Sequence, residues 1–139
     1  MRYTLLMWRW GTRPGALALV VAAVPVLALA GGRAADALAK LEHGRWLVRS
    51  ASQASLERAV CLGDPALLFQ IEHGAAGCRQ QLVEADARGA TVEYVCSGRG
   101  FGHTSIRIET SKAATIETQG FVDGRPFSYR ATARKLSEC

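Results

Sequence analysis

Four cysteines constrain this chain more than any other feature: Cys61, Cys78, Cys96 and Cys139. All of them lie beyond residue 30, and their spacings of 17, 18 and 43 fit no common zinc module, since no C-x-x-C or H-x-x-x-H pair occurs. An even number of cysteines in a small exported domain reads instead as two disulfides. Four cysteines allow three pairings. The favoured one joins Cys61 to Cys78 over a probable helix and ties the last residue, Cys139, to Cys96 in an inner strand. Bonds of this kind stabilise by about 2–4 kcal/mol each, which matters for a domain whose core is small.

The oxidising environment such bonds need is announced at the N-terminus. Arg2, Arg9 and Arg13 precede an uncharged run, Ala16 to Ala30, that closes on Ala28-Leu29-Ala30. A basic stretch, a short apolar stretch and small residues before the cut form the layout of a secretory signal. The run is shorter than the ~20 residues of a spanning helix and contains Pro25. Residues 1–30 are therefore read as a signal peptide cleaved after Ala30, with a retained N-terminal anchor as the alternative. Arginine outnumbers lysine 14 to 3 and alanine is abundant, a composition that suggests a GC-rich bacterial genome and a periplasmic destination, with secretion as the second choice.

The leader also accounts for most of the charge. The whole chain carries a net +5, and three of those charges belong to the leader. The remainder, at +2, lacks the clustered cations that track a phosphate backbone, so no nucleic-acid partner is expected.

Beyond the leader, Ala34 to Glu42 is rich in helix formers and is read as a short helix or an ordered linker, within 31–43. From Gly44 the apolar period becomes two, and 44–139 reads as one β-domain. Arg45–Arg49 is strand-like, and Gln53–Leu62 is its hairpin partner. Asp64-Pro65 starts a helix, with Asp64 as N-cap and Gly74 as its stop. Strands follow at Cys78–Ala85, Thr91–Ser97, Thr104–Thr110, Ala114–Val122 and Phe127–Leu136. Asp123-Gly124 is a two-residue hairpin turn. About seven strands, apolar on one face and polar on the other, define a mainly β antiparallel meander, curved or closing into a partial barrel. The Asp64–His73 helix covers one end.

Candidate chemistry is sparse. Gly98-Arg99-Gly100-Phe101-Gly102 opens a strand rather than a helix, so it reads as a flexible connection and not a phosphate loop. His43, His73 and His103 recur at intervals of thirty, and Glu-His-Gly occurs at 42–44 and 72–74; a metal or acid–base role requires all three imidazoles to converge. Arg99, Arg107, Arg125, Arg130 and Arg134 form either a salt-bridged solvated face or a patch for an acidic partner or lipid headgroup. Trp46, Phe127 and Tyr129 either fill the core or line an apolar cavity. No cofactor, metal or catalytic residue is assigned.

The ordered set of features resembles the bacterial exported family catalogued as domain of unknown function 3617. The matching elements are the leader, Gly44-x-Trp46 opening the first strand, Cys61-Leu62, Cys78 after a loop, Cys96 before a Gly-rich connection, and the ending Arg134-Lys135-Leu136-Ser137-Glu138-Cys139. The resemblance spans 44–139 and implies a location and a layout, not an activity. The expectation is a non-enzymatic binding module for a protein partner, an apolar ligand or an envelope component, touching a membrane only through an uncleaved leader. The alternatives are a metal-handling protein or enzyme using His43, His73 and His103, and a cell-wall hydrolase inhibitor, whose Tyr-x-Cys strand Thr91–Ser97 faintly resembles.

Overall fold

The computed structural model of the protein describes residues 34–52, 56–75 and 77–139; the leader, residues 1–30, lies outside them. The described chain is a short helix α1 (Ala34–Ala37) and seven strands: β1 (Gly44–Ser50), β2 (Glu57–Leu62), β3 (Cys78–Asp86), β4 (Gly89–Cys96), β5 (Gly100–Thr110), β6 (Ala113–Val122) and β7 (Arg125–Ser137). All pairings are antiparallel, within one unclosed sheet.

Alternation of side chains dictates which face is buried. In β4, Ala90, Val92, Tyr94 and Cys96 point inward while Glu93 and Val95 point out. In β7, Tyr129, Ala131 and Ala133 are buried between exposed Ser128, Arg130, Thr132 and Arg134. Trp46 and Val48 of β1, Ile106 of β5 and Ile116 of β6 complete the sheet's share of the core. Leu38 and Leu41, just after α1, are also buried in it, so the segment ahead of β1 packs as part of the domain.

Strands β3 to β7 form the expected meander, but β1 docks beside β7, giving the order β2-β1-β7-β6-β5-β4-β3. The edges are thus β2 and β3, neighbours in sequence and opposite in space. Residues 63–75 lead from β2 across towards β3. Here the expected Asp64–His73 α-helix is instead a 3₁₀ helix, Pro65–Gln70. Its start is as expected: the Asp64 carboxylate accepts from the Ala66 N–H at 2.9 Å and Pro65 supplies the fixed φ of a first helical position. Both sheet edges bind this crossover. Arg58 of β2 donates to the Ile71 carbonyl at 3.0 Å and to Glu72 at 3.1 Å. Gln80 of β3 donates to the Ala66 carbonyl at 3.1 Å and to Gln70 at 2.8 Å. A flat sheet of this width would separate its edges by about 29 Å, whereas the 3₁₀ helix rises only about 8 Å from Ala66 to Gln70, with Glu72 two residues beyond. The sheet is therefore curled, and Leu68 and Phe69, both fully buried, fill it.

This topology also corrects the disulfide pairing. Cys61 is bonded to Cys139, and Cys78 to Cys96. Cys61 and Cys78 stand on opposite edges of the sheet, each beside a different partner. Cys78 lies directly across from Cys96 in the β3–β4 ladder, whereas Cys61 faces Arg45 of β1, whose other neighbour is Ser137 of β7. The second bond thus ties the chain end to edge strand β2, across β1.

Candidate functional site

Two hairpin turns build one tip of the sheet. Ser97–Arg99 joins β4 to β5, and Arg99 N–H donates to the Cys96 carbonyl at 3.0 Å. Asp123-Gly124 joins β6 to β7 with positive φ at both positions, 49° and 77°, the primed turn that this dipeptide favours. The turns are stitched together: Asp123 N–H donates to the Arg99 carbonyl at 2.8 Å, and the Arg99 guanidinium pairs with the Asp123 carboxylate at 3.4 Å.

Next to these turns, the outer face carries an apolar row. Val95, Phe101, Phe121 and Pro126 are successive cross-strand partners on β4, β5, β6 and β7. Val95 is 57% exposed, Phe101 52% and Phe121 44%. The two phenyl rings contact each other, their centroids 5.6 Å apart. The next outer row is polar: Glu93, His103, Gln119 and Ser128, with His103 Nδ1 3.5 Å from the Glu93 carboxylate. A mostly apolar surface cavity of about 560 Å³ lies between the rows, lined by Phe101, Phe121, Gly102, Gly120, Gln119 and Phe127 among others.

The inner side of this region is closely packed. Tyr94 leans over Gly102 so closely that a Cβ there would sit 2.4 Å from the phenol oxygen; only glycine admits the ring. His73, 2% exposed, packs edge-on to Tyr94 and Phe127. Its Nδ1 is 3.3 Å from the Tyr94 hydroxyl, while Nε2 has no hydrogen-bond partner among the described residues. Thr104 and Thr118 share a buried hydroxyl bond of 2.7 Å. Tyr129 donates to Glu72 at 2.6 Å, and Arg58 holds the other carboxylate oxygen. These bonds satisfy buried polar atoms and fasten the crossover to β2 and β7.

Burial pushes the Tyr94 phenol up to about 12; the Glu72 charge adds to the shift, and hydrogen bonds with Thr104 and Thr118 oppose it. Tyr129 is likewise held above its ordinary value, by burial first and then by its bond to Glu72. Above pH 10 the unfolded phenols lose protons that the folded ones keep. The stability that depends on these neutral phenols is therefore fully present below pH 10 and is lost as the pH climbs towards 12. Urea unfolding midpoints across that window should show this decline, and Tyr94→Phe together with Tyr129→Phe should flatten it.

The residues singled out in the sequence are scattered by the fold. Gly44 starts β1 where a Cβ would lie 2.6 Å from the Ser137 carbonyl, and Trp46 is wholly buried core. Phe127 lines the outer cavity as well as packing inward, and Tyr129 belongs to the core with its hydroxyl on Glu72. His43 is exposed ahead of β1, His73 is buried in the crossover, and His103 faces outward on β5. Among the described residues no three His, Cys, Asp or Glu side chains form a metal-binding group. Tyr94 and Cys96, the Tyr-x-Cys pair, both face the core. Of the five arginines, Arg99, Arg107 and Arg130 pair with Asp123, Glu109 and Glu117. Arg125 and Arg134 are exposed and have no ion pair among the described residues. The Gly98–Gly102 stretch is a turn followed by the start of β5.

Sequence reading missed the apolar row. Its signal was present: Phe121 shares its face of the strand with Glu117 and Gln119, and Val95 with Glu93, so both are apolar residues on a polar face. Phe101 was hidden inside a glycine-rich run.

Fold and face together define a disulfide-stapled, single-sheet β-domain with an external aromatic row. No family model matches the chain, and neither a curated protein nor a solved structure matches it.

Proposed function

We propose that the protein is a non-enzymatic binding domain of the bacterial periplasm, freed from its leader after Ala30, that engages a component of the cell envelope through the outer face of β4–β7. The observation that carries this reading is the exposed row Val95, Phe101, Phe121, Pro126, flanked by the polar row Glu93, His103, Gln119, Ser128. Contiguous apolar side chains held out in water mark interaction surfaces. The two disulfides fit an oxidising compartment, and the resemblance to the exported family points to the same location. The inner face is filled by Trp46, Leu68, Phe69 and Tyr94, so the reading places the ligand outside the sheet rather than within it.

The test is retention of the exported protein on isolated envelope fragments. Wild type is expected to bind, and Phe101→Ser with Phe121→Ser is expected to weaken retention at least about tenfold, from the apolar area lost. Absence of retention, or retention that the double variant leaves unchanged, rejects the proposal.

A further inference from the structure

We infer that the envelope component is a linear, uncharged stretch of glycan, the β-linked sugar strand of the cell wall, which lies across β4–β7 between the apolar row and the polar row; this rests on the binding function proposed above. The two rows are in step. Each of the four strands carries one apolar and one polar side chain two residues apart on the outer face, as Phe101 and His103 do on β5 and Phe121 and Gln119 on β6. Val95 with Glu93 repeats the pair on β4, and Pro126 with Ser128 on β7. The cavity of about 560 Å³ has lining residues on all four strands, so it crosses them with one apolar and one polar wall. Its volume falls in the range of small-ligand sites. The polar wall is open to a ligand: Gln119 and Ser128 make no side-chain hydrogen bond among the described residues, and Glu93 meets His103 at 3.5 Å. Charge is balanced here, since Arg79, across from Val95 on the outer face, is offset by exposed Glu93 on the neighbouring strand.

A β-linked pyranose has the matching chemistry. Its axial C–H groups form an apolar face that packs on the electron-rich face of a phenyl ring, and its equatorial hydroxyl and acetamido groups exchange hydrogen bonds at the rim. Gln119 and Ser128 both donate and accept, and the Glu93 carboxylate accepts. Spacing selects a chain of such rings. Neighbouring strands lie about 4.8 Å apart, close to the advance of a β-linked glycan per sugar, so successive rings meet successive apolar and polar pairs. The four strands span about 14 Å, room for about three rings. An extended peptide presents same-face side chains only about every 6.8 Å, and brings backbone N–H and C=O groups that a sheet edge pairs but a sheet face does not. Area disfavours a second copy of this chain. The two half-exposed phenyl side chains offer about 200 Å² between them, against about 800 Å² buried on each partner of a stable complex. The balanced charge disfavours an anionic lipid surface.

The experiment is sedimentation of the exported protein with purified cell-wall sacculi, together with calorimetric titration by the β-linked hexamer of N-acetylglucosamine. Sacculi are expected to retain the protein, the hexamer to bind it and release it from them, and the monosaccharide at equal sugar concentration to do neither. Added salt should leave retention unchanged, because the contacts are not between ions. Phe101→Ser with Phe121→Ser should reduce affinity for the hexamer at least about tenfold, and Glu93→Ala with Gln119→Ala about tenfold. Leu136→Ser, which removes an exposed apolar side chain at the opposite end of β7, should leave it unchanged. Unfolding midpoints of both double variants should match wild type, because the replaced side chains are exposed. Binding that either double variant leaves unchanged overturns the inference, as does retention that salt abolishes. Self-association that depends on the two phenylalanines also overturns it. Failure to bind the sacculi, or to bind the hexamer, overturns the glycan assignment; retention on whole envelope fragments in that case leaves the binding function standing, with a protein or lipid component as the occupant.

Discussion

Replacing Cys61 and Cys139 together by serine is expected to lower the unfolding free energy by about 4.5 kcal/mol, the chain-entropy value for a loop of this length. The two cysteines are 78 residues apart in sequence, and the bond closes nearly the whole domain into one ring. Cys78 and Cys96 are only 18 apart, and their removal as an alanine pair should cost about 3 kcal/mol in the same model. The order of the two effects is the informative result. Small domains are stable by only about 5–15 kcal/mol, so losing the longer closure should move the urea midpoint well outside error. The wider loss also has a structural basis: Cys139 holds the end of β7 against edge strand β2, with β1 clamped between them. Peptide mapping without reduction should recover the Cys61 peptide joined to the C-terminal one. Recovery of Cys61 joined to Cys78 would contradict the strand order itself.

The reason that pairing was hard to read lies in topology rather than chemistry. Local signals are strong along this chain. The two-residue period locates all seven strands, Asp123-Gly124 sets the last hairpin, and Asp64-Pro65 caps the crossover helix. Those signals act over a few residues. The β3–β4 hairpin sets Cys78 across from Cys96, but what decides the Cys61–Cys139 bond is that β1 pairs with β7, a contact between the first and last strands that no local pattern encodes. Once β1 takes that place, β2 becomes one edge and β3 the other, and the short loop between Cys61 and Cys78 becomes the span across the open side of the sheet. The helix was misjudged for a related reason. Pro65 to Gln70 must bury Leu68 and Phe69 while Ala66 and Gln70 accept from Gln80, and a tighter 3₁₀ winding meets those contacts.

The candidate site was legible only in part. Inward and outward sets follow from alternation, and β7 obeys it from Tyr129 to Arg134. An apolar residue on the outward set is therefore detectable, strand by strand. The row is not, because it depends on the register that places Val95, Phe101, Phe121 and Pro126 side by side. The pairing of arginines was similarly invisible: Arg130 with Glu117 and Arg99 with Asp123 are cross-strand or turn-to-turn contacts. Register also leaves Arg79 and Arg125 at the tip without such partners.

Trp46→Ala is expected to destabilise the domain by about 3–5 kcal/mol, the range for deleting a fully buried large aromatic side chain. Trp46 is 0% exposed and sits on β1, between edge strand β2 and terminal strand β7. Its indole N–H donates to the Glu42 carbonyl at 3.0 Å. Glu42 in turn accepts from Ser111 and Lys135, which hold its carboxyl below the ordinary value. The ring therefore couples the chain entering β1 to the β5–β6 turn and the end of β7. Trp46→Phe separates the two contributions. It keeps an aromatic ring in the core but removes the donor and part of the volume, so it should cost about 1–3 kcal/mol. The measurement needs circular dichroism rather than fluorescence on a chain that starts at residue 31, where the removal of Trp8 and Trp10 leaves Trp46 as the one tryptophan and so the reporter. In wild type that reporter should emit as a buried indole and shift to longer wavelength on unfolding. A variant that lost Trp46 at a cost below about 1 kcal/mol would mean that β1 is not held in the core, and with it the β1–β7 pairing on which the strand order and the Cys61–Cys139 bond depend would fail.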